Sequence, residues 1–283
     1  MSGARAFSVT APAPSLGVVV PALNAAGTLA ATLESLGLAM QVGAEVIVVD
    51  GGSTDSTIAI AQGQGVRVEH CGGGMYAALN HGFGSLRSDW LTWINADDLL
   101  YADKLLSRLQ RAGNADVIYG PVDFIDIAGR FVHSWTSASP ADLLPLYRAG
   151  YSPLLQQGTL FRRQVFEHIG GFDETYRFVG DAEFWWRALE ARKSFHRCTH
   201  PPVAAFRLHG GQLSQRYAGP MRAEHDRMVG AHGGRRRSLR SWLALCRFRG
   251  RNLPSYLVRC LRRRDLEGGV RLPGSYDVVR ELE

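Results

Sequence analysis

Val46-Ile47-Val48-Val49-Asp50-Gly51-Gly52-Ser53-Thr54-Asp55 is the stretch that decides the fold. Four β-branched residues in a row, with no polar alternation, read as a strand buried on both faces. The strand ends on a carboxylate, turns at Gly51-Gly52, and offers Ser53 or Thr54 as the cap of a helix over 57–62. The same order repeats on either side. Upstream, the apolar run 16–20 leads through Pro21 and Asn24-Ala25-Ala26-Gly27-Thr28 into helical spacing at Leu29, Leu33 and Leu36. Downstream, 66–69 predicts a third strand, the glycines at 72–74 a loop, and 76–83 a helix. Residues 90–94 predict a fourth strand, which runs straight into Asn95-Ala96-Asp97-Asp98, and 101–111 predict a helix with Leu105, Leu106 and Leu109 inward. Strands alternating with helices imply an α/β fold, Rossmann-like, with a mostly parallel sheet flanked by helices and a ligand crevice beyond the strands' carboxyl ends.

Beyond Val117-Ile118-Tyr119 the pattern changes, and 130–135 predicts part of a small antiparallel addition. A helix over 181–191 follows, and past Gln215 the chain becomes basic and amphipathic, with helices over 239–248 and 255–263 interrupted by Gly250 and Pro254. The expected organisation is a mobile leader over 1–14, a domain over 15–215 divided into a nucleotide-binding half (15–120) and an acceptor half (121–215), and a basic helical C-terminal extension over 216–283.

With 283 residues, 46% of them apolar, the chain fills a substantial core, so global disorder is excluded. The net charge of +6 is uneven, with Arg235-Arg236-Arg237 and Arg262-Arg263-Arg264 both in the extension. Charge alone leaves nucleic acid, anionic lipid and an acidic partner open. Cys71, Cys198, Cys246 and Cys260 are too scattered for a zinc site or a disulfide scaffold and suit a reducing compartment. With no membrane-length apolar run and no signal-peptide core, the expected location is cytoplasmic.

Asp50, at a strand end beside two glycines, suits a base or ribose contact, or equally a turn cap. Asp97 and Asp98 are adjacent like charges, which a divalent cation relieves if solvation does not. Asp181 and Glu183 lie in the first turn of a helix and suit either the macrodipole or general-base chemistry beside aromatic walls. His209 is a candidate third metal ligand or a structural histidine, and Asn80 a phosphate contact or a solvent-facing helix residue. Trp185, Trp186 and Tyr151 suit sugar stacking or core packing.

Taken in order, Pro21 and Asn24, Val48-Val49-Asp50-Gly51-Gly52-Ser53-Thr54-Asp55, Ala78-Leu79-Asn80-His81-Gly82, Asn95-Ala96-Asp97-Asp98, Gly170-Gly171-Phe172-Asp173-Glu174 and Gly180-Asp181-Ala182-Glu183-Phe184-Trp185-Trp186-Arg187 resemble the family 2 glycosyltransferases of GT-A fold, over about 16–214. The resemblance implies an inverting transfer of a sugar from a nucleoside diphosphate to a hydroxyl of a glycan or lipid-linked acceptor, assisted by Mn²⁺ or Mg²⁺. Bacterial surface-polysaccharide or glycolipid synthesis is the implied setting.

On the matching positions, Pro21, Ala22, Asn24, Asp50, Gly51, Gly52, Ser53, Asn80, Asn95 and Asp97 would hold the nucleotide sugar. Asp98, Asp97 and His209 would hold metal, Asp181 would be the base with Glu183 behind it, and Trp185 and Gln157 would meet the acceptor. Three positions depart from the pattern. Asn95 stands where Asp is frequent, Gly180-Asp181 where Glu-Asp is frequent, and Gln156-Gln157 where some members carry His-Gln. The basic extension reads either as a peripheral contact with an anionic inner membrane or as packing helices with a solvated face, and no nucleic acid partner is expected. The rival classes are a nucleotidyltransferase, which would carry a basic glycine loop where Ala22–Gly27 has none, and a non-catalytic nucleotide-sugar-binding protein. An oxidoreductase is disfavoured because no Gly-x-Gly-x-x-Gly follows the first strand.

Overall fold

The computed structural model describes residues 15–199, 201–212, 216–234 and 238–261. The leader over 1–14, Ser214 and both arginine triplets lie outside the described residues. The strands are β1 (Leu16–Ala22), β2 (Glu45–Asp50), β3 (Arg67–His70), β4 (Trp90–Trp93), β5 (Leu99–Leu100), β6 (Val117–Tyr119), β7 (Val122–Ile125), β8 (Phe131–Trp135), β9 (Leu160–Arg162), β10 (Phe195–Arg197) and β11 (Ala204–Arg207). The helices are α1 (Leu29–Ser35), α2 (Gly37–Gln41), α3 (Thr57–Gly63), α4 (Met75–Ser85), α5 (Ala102–Gln110), α6 (Pro140–Arg148), α7 (Arg163–Ile169), α8 (Gly180–Glu190), α9 (Ala218–Ala231), α10 (Leu239–Arg251) and α11 (Leu253–Leu261).

The main sheet runs β10-β6-β9-β4-β1-β2-β3. β1 pairs parallel with β2 and β4, and β2 with β3, as the unbroken apolar runs require. Val18, Val19 and Val20 are fully buried, and alternate residues feed opposite faces. Val19, Ile47 and Trp93 join one core with α4 and α8, whereas Val18, Val20 and Val48 join another with α1 and α5. Ala22 pairs with Asp50, so the first two strands end level and deliver their loops to one edge. β9, unforeseen in the sequence, wedges antiparallel between β4 and β6.

A second sheet runs β5-β11-β7-β8. It is mixed rather than purely antiparallel, because β6→β7 and β10→β11 cross from the first sheet to the second side by side. Their strands therefore pair parallel in both sheets. Helices α9 to α11 pack onto this body. Met228 and Val229 of α9 and Phe248 of α10 are buried, Arg247 pairs with Asp142 of α6, and the Asn252 amide binds the backbone of Thr136 at the end of β8. Among the described residues no helix is long and apolar enough to cross a membrane.

Candidate active site

The loops after β1, β2 and β4 open into one cavity of about 920 Å³, closed on its far side by the second sheet, α8 and α9. The first two loops are stapled together. Gly51 N donates to Ala22 O, Asn24 N to Ser53 Oγ, and Thr54 N to Asn24 Oδ1, all within 2.9 Å. Asn24 sits at φ 50°, a left-handed conformation that Asn tolerates better than other side-chain-bearing residues. Pro21, Ala22, Asn24 and Gly51 line the cavity, while Ser53 and Gly52 stand behind it and hold Asp50, whose Oδ2 accepts both their N–H groups at 2.9 Å. Burial raises the Asp50 pKa, but the Ser53 and Gly52 hydrogen bonds with the His70 imidazole outweigh it, and the net shift is downward. Its Oδ1 is buried and meets no partner among the described residues.

The two adjacent aspartates part company. Asp98 is fully buried, its Oδ1 accepting from Arg207 N (2.9 Å) and its Oδ2 from Gln157 Nε2 (3.1 Å) and Asn95 Nδ2 (3.2 Å). Burial and the charge of Asp97 push its pKa up, against those three donors. Asp98, expected as a metal ligand, is thus spent on tying the β4 loop to β11 and to the 151–158 segment. Asp97 turns to the cavity instead, its Oδ2 2.8 Å from His209 Nε2. Arg207, missed in the sequence, locks this arrangement through Nε to Asp97 O and Nη1 to Ile127 O.

Asp181 enters the cavity from the first turn of α8. Burial raises its pKa, the nearby Glu224 charge adds to this, and hydrogen bonds from the Ala182 amide and Tyr76 oppose it. Tyr76 Oη donates to Asp181 Oδ1 at 3.3 Å. The Tyr76 ring also explains Gly180, since a Cβ there would come within 2.7–2.9 Å of three ring atoms. Glu224 of α9 reaches across to accept from the N–H groups of Arg177, Phe178 and Val179, fixing the entry to α8. Tyr76 and Glu224 had no sequence signal, because their partners lie 105 and 45–47 residues away.

Besides Asp98, four further expectations are corrected by this geometry. Glu183 does not line the cavity; Arg187 Nε and Nη2 hold it at 2.6 and 2.7 Å, with His232 close by. Burial would raise its pKa, but those partners hold it below the ordinary value, so it is a poor proton acceptor. Trp185 is 0% exposed, stacked on Trp93 at 5.9 Å and edged by Phe161 and Phe184, so it is core and no sugar platform. Asn80 clamps Phe172 and Glu174 with its whole amide and stays off the cavity wall. Gln157 borders the cavity, but its Nε2 is committed to Asp98.

The loops after β1 and β2, the Asp97–His209 pair and Asp181 therefore share one cavity. Residues 17–170 match the glycosyl transferase family 2 model. A PGL/p-HBAD biosynthesis glycosyltransferase of Mycobacterium tuberculosis is 30% identical over 210 residues, covering 70% of this chain and 79% of that protein. The chain belongs to glycosyltransferase family 2. It is a glycosyltransferase, and the rival enzyme classes fall away. Staphylococcus aureus TarS, residues 1–349 with UDP-GlcNAc, superposes with a TM-score of 0.59 at 16% identity, covering 85% of this chain and 73% of that one. The mannosyltransferase PcManGT of Pyrobaculum calidifontis, with GDP-Man and Mn²⁺, gives 0.52 at 17% identity, covering 88% and 81%. Both likenesses place this glycosyltransferase in the GT-A fold.

Proposed function

We propose that this glycosyltransferase moves a sugar from a nucleoside diphosphate to a hydroxyl of a glycan or lipid-linked acceptor, with inversion, in cell-surface polysaccharide or glycolipid synthesis. The observation that carries the reading is a single cavity bordered by Asp97 on the nucleotide side and by Asp181, poised for proton transfer, on the other. Pro21, Ala22 and Gly51 would bracket the nucleoside, with Asp50 behind them holding the Gly52 and Ser53 amides of that loop.

The donor set fits a hard divalent cation. A carboxylate and an imidazole 2.8 Å apart border the cavity, and sites of this kind complete their shell with substrate phosphate and water. Asp97 and His209 would hold Mn²⁺ or Mg²⁺, which when bound stabilises negative charge on the departing diphosphate. Asp181 takes the proton of the acceptor hydroxyl as that oxygen attacks the anomeric carbon from the face opposite the diphosphate. The bond from that carbon to the diphosphate oxygen breaks with its electrons going to the leaving group, and the new glycosidic bond has inverted configuration. Tyr76, Gly180 and Glu224 keep Asp181 in place for this step.

Location at the cytoplasmic face of the inner membrane is supported by α10, where Leu239, Trp242, Leu243 and Cys246 at i, i+3, i+4 and i+7 are all exposed beside Arg240 and Arg249. The test of the donor assignment is release of nucleoside diphosphate from a panel of UDP-, GDP- and dTDP-sugars with and without Mn²⁺. Metal-stimulated release from one donor, lost in Asp97→Ala, is expected. No release from any donor, and no thermal shift with any nucleotide, would overturn it.

A further inference from the structure

Three arginines gather where β10, α6 and the end of α10 meet. Arg197, the last residue of β10, donates Nη1 to Ser137 O at 3.4 Å. Asn252, directly after α10, clamps the backbone of Thr136 with its amide, which brings the neighbouring Arg251 to the same turn of chain. One helical turn earlier, Arg247 forks onto Asp142 of α6, with Nε to Oδ2 at 3.2 Å and Nη2 to Oδ1. The Asp142 side chain is 3% exposed, and it is the one carboxylate set against the group. Three guanidiniums less one carboxylate leave two net positive charges.

Like charges held this close repel. Arg249 and Arg251 both suit the carboxyl end of a helix, but the helix dipole does not call for Arg197 beside them. Burial lowers the Arg251 pKa, the Arg197 charge lowers it further, and Asp142 opposes both. Among the described residues the Arg251 guanidinium has no hydrogen-bond or ion-pair partner, and Arg197 uses a single N–H group. An anion seated between them would engage both forks and remove the repulsion. Two net charges match a phosphate monoester, which carries about −1.5 to −2 near neutral pH, better than a singly charged carboxylate or phosphodiester.

The place on α10 points to the source of such a phosphate. Arg247 directly follows Cys246 and lies one turn past Leu243, on the flank of the exposed row Leu239, Trp242, Leu243 and Cys246. A helix is about 10–12 Å across, so lipid contact through that row holds Arg247 and Arg251 at headgroup depth.

Resting on the peripheral membrane reading above, we infer that Arg197, Arg247 and Arg251 form a headgroup site for an anionic phospholipid bearing a phosphate monoester. The apolar row supplies adhesion, and the arginine site selects the headgroup. Because Phe248 of the same helix borders the cavity, the site also sets how the cavity faces the bilayer.

The experiment floats the full chain at physiological salt with phosphatidylcholine vesicles carrying either phosphatidic acid or phosphatidylglycerol, adjusted to equal zeta potential. Wild type is expected to partition at least about tenfold more strongly onto the phosphatidic acid vesicles. Arg251→Gln should bring that ratio toward one while keeping the wild-type circular dichroism. Arg240→Gln, which removes an equal charge from α10 outside the site, should weaken both partitions by about fivefold and keep the ratio. Flotation with a wild-type ratio near one, or a ratio that Arg251→Gln leaves intact, overturns the headgroup site and spares the membrane reading. No flotation on either vesicle sinks the membrane reading, and calorimetric titration with glycerol 3-phosphate then decides the site. Binding that is lost in Arg251→Gln would reassign it to a soluble phosphate, and no binding would overturn it altogether.

Discussion

Gly180→Ala sets two opposed effects against each other at the residue preceding the proposed base. Replacing Gly by Ala inside a helix ordinarily stabilises by up to about 1 kcal/mol, and less in the first turn. Here the new methyl would stand 2.7, 2.8 and 2.9 Å from Cε2, Cδ2 and Cζ of Tyr76. That ring cannot swing aside freely, because it is 1% exposed and stacked on Phe172 at 5.7 Å. Overpacking of this kind costs about 1–3 kcal/mol, so the net effect is destabilising despite the gain in propensity. The displaced ring also carries its hydroxyl away from Asp181, so turnover should fall more than donor affinity. The assay is urea unfolding of Gly180→Ala, Tyr76→Leu and the double variant, with kcat and donor KM for each. With the ring truncated the methyl finds space, and the pair should show a favourable coupling of at least about 1 kcal/mol. A stability change below about 0.5 kcal/mol in Gly180→Ala, strictly additive with Tyr76→Leu, would refute the reasoning.

The acid limb of kcat against pH should lie above the ordinary carboxylate range, because Asp181 must be ionised to accept a proton and its pKa is raised by burial and by Glu224. Glu224→Gln should move that limb to lower pH by removing a like charge, and should destabilise by about 1–3 kcal/mol through weakened acceptance from three backbone N–H groups; a limb that moves up instead contradicts this. The His232 pKa is raised by its hydrogen bond to Glu183, with Glu190 adding to it against burial. Its stabilising contribution is therefore full below the unfolded value near 6.5 and disappears as pH rises through the higher folded value. Unfolding free energies of wild type and His232→Gln should converge at alkaline pH, and a gap that widens there would contradict the pairing. Vesicles rich in anionic lipid should float the protein in a sucrose gradient at low salt, and Trp242→Ser with Leu243→Ser should abolish flotation without loss of soluble activity; unchanged flotation would assign those side chains no membrane role.

Much of the fold was legible because its strands are buried on both faces. Val46–Val49 and the run from Leu16 carry no polar residue to blur the signal, and Gly51 and Asp97, just past two of the strands, border the crevice. The antiparallel β9 was not legible, since three residues in a strand carry too little pattern. Within the site, sequence could not tell Asp97 from Asp98, because the difference is made by Arg207 and Gln157, 109 and 59 residues away. Trp185 was open to two readings on composition alone. Its full burial, stacked on Trp93 and edged by Phe161, decides for the core.

The central claim is that Asp181 removes the acceptor proton in the cavity that Asp97 shares. Single-turnover transfer by Asp181→Asn tests it most directly, measured beside the affinity of the same protein for the nucleoside diphosphate. The account predicts a rate lower by roughly 10²–10⁴-fold with nucleotide affinity preserved within about twofold. A variant that transfers within tenfold of wild type, with the same pH profile, would contradict it.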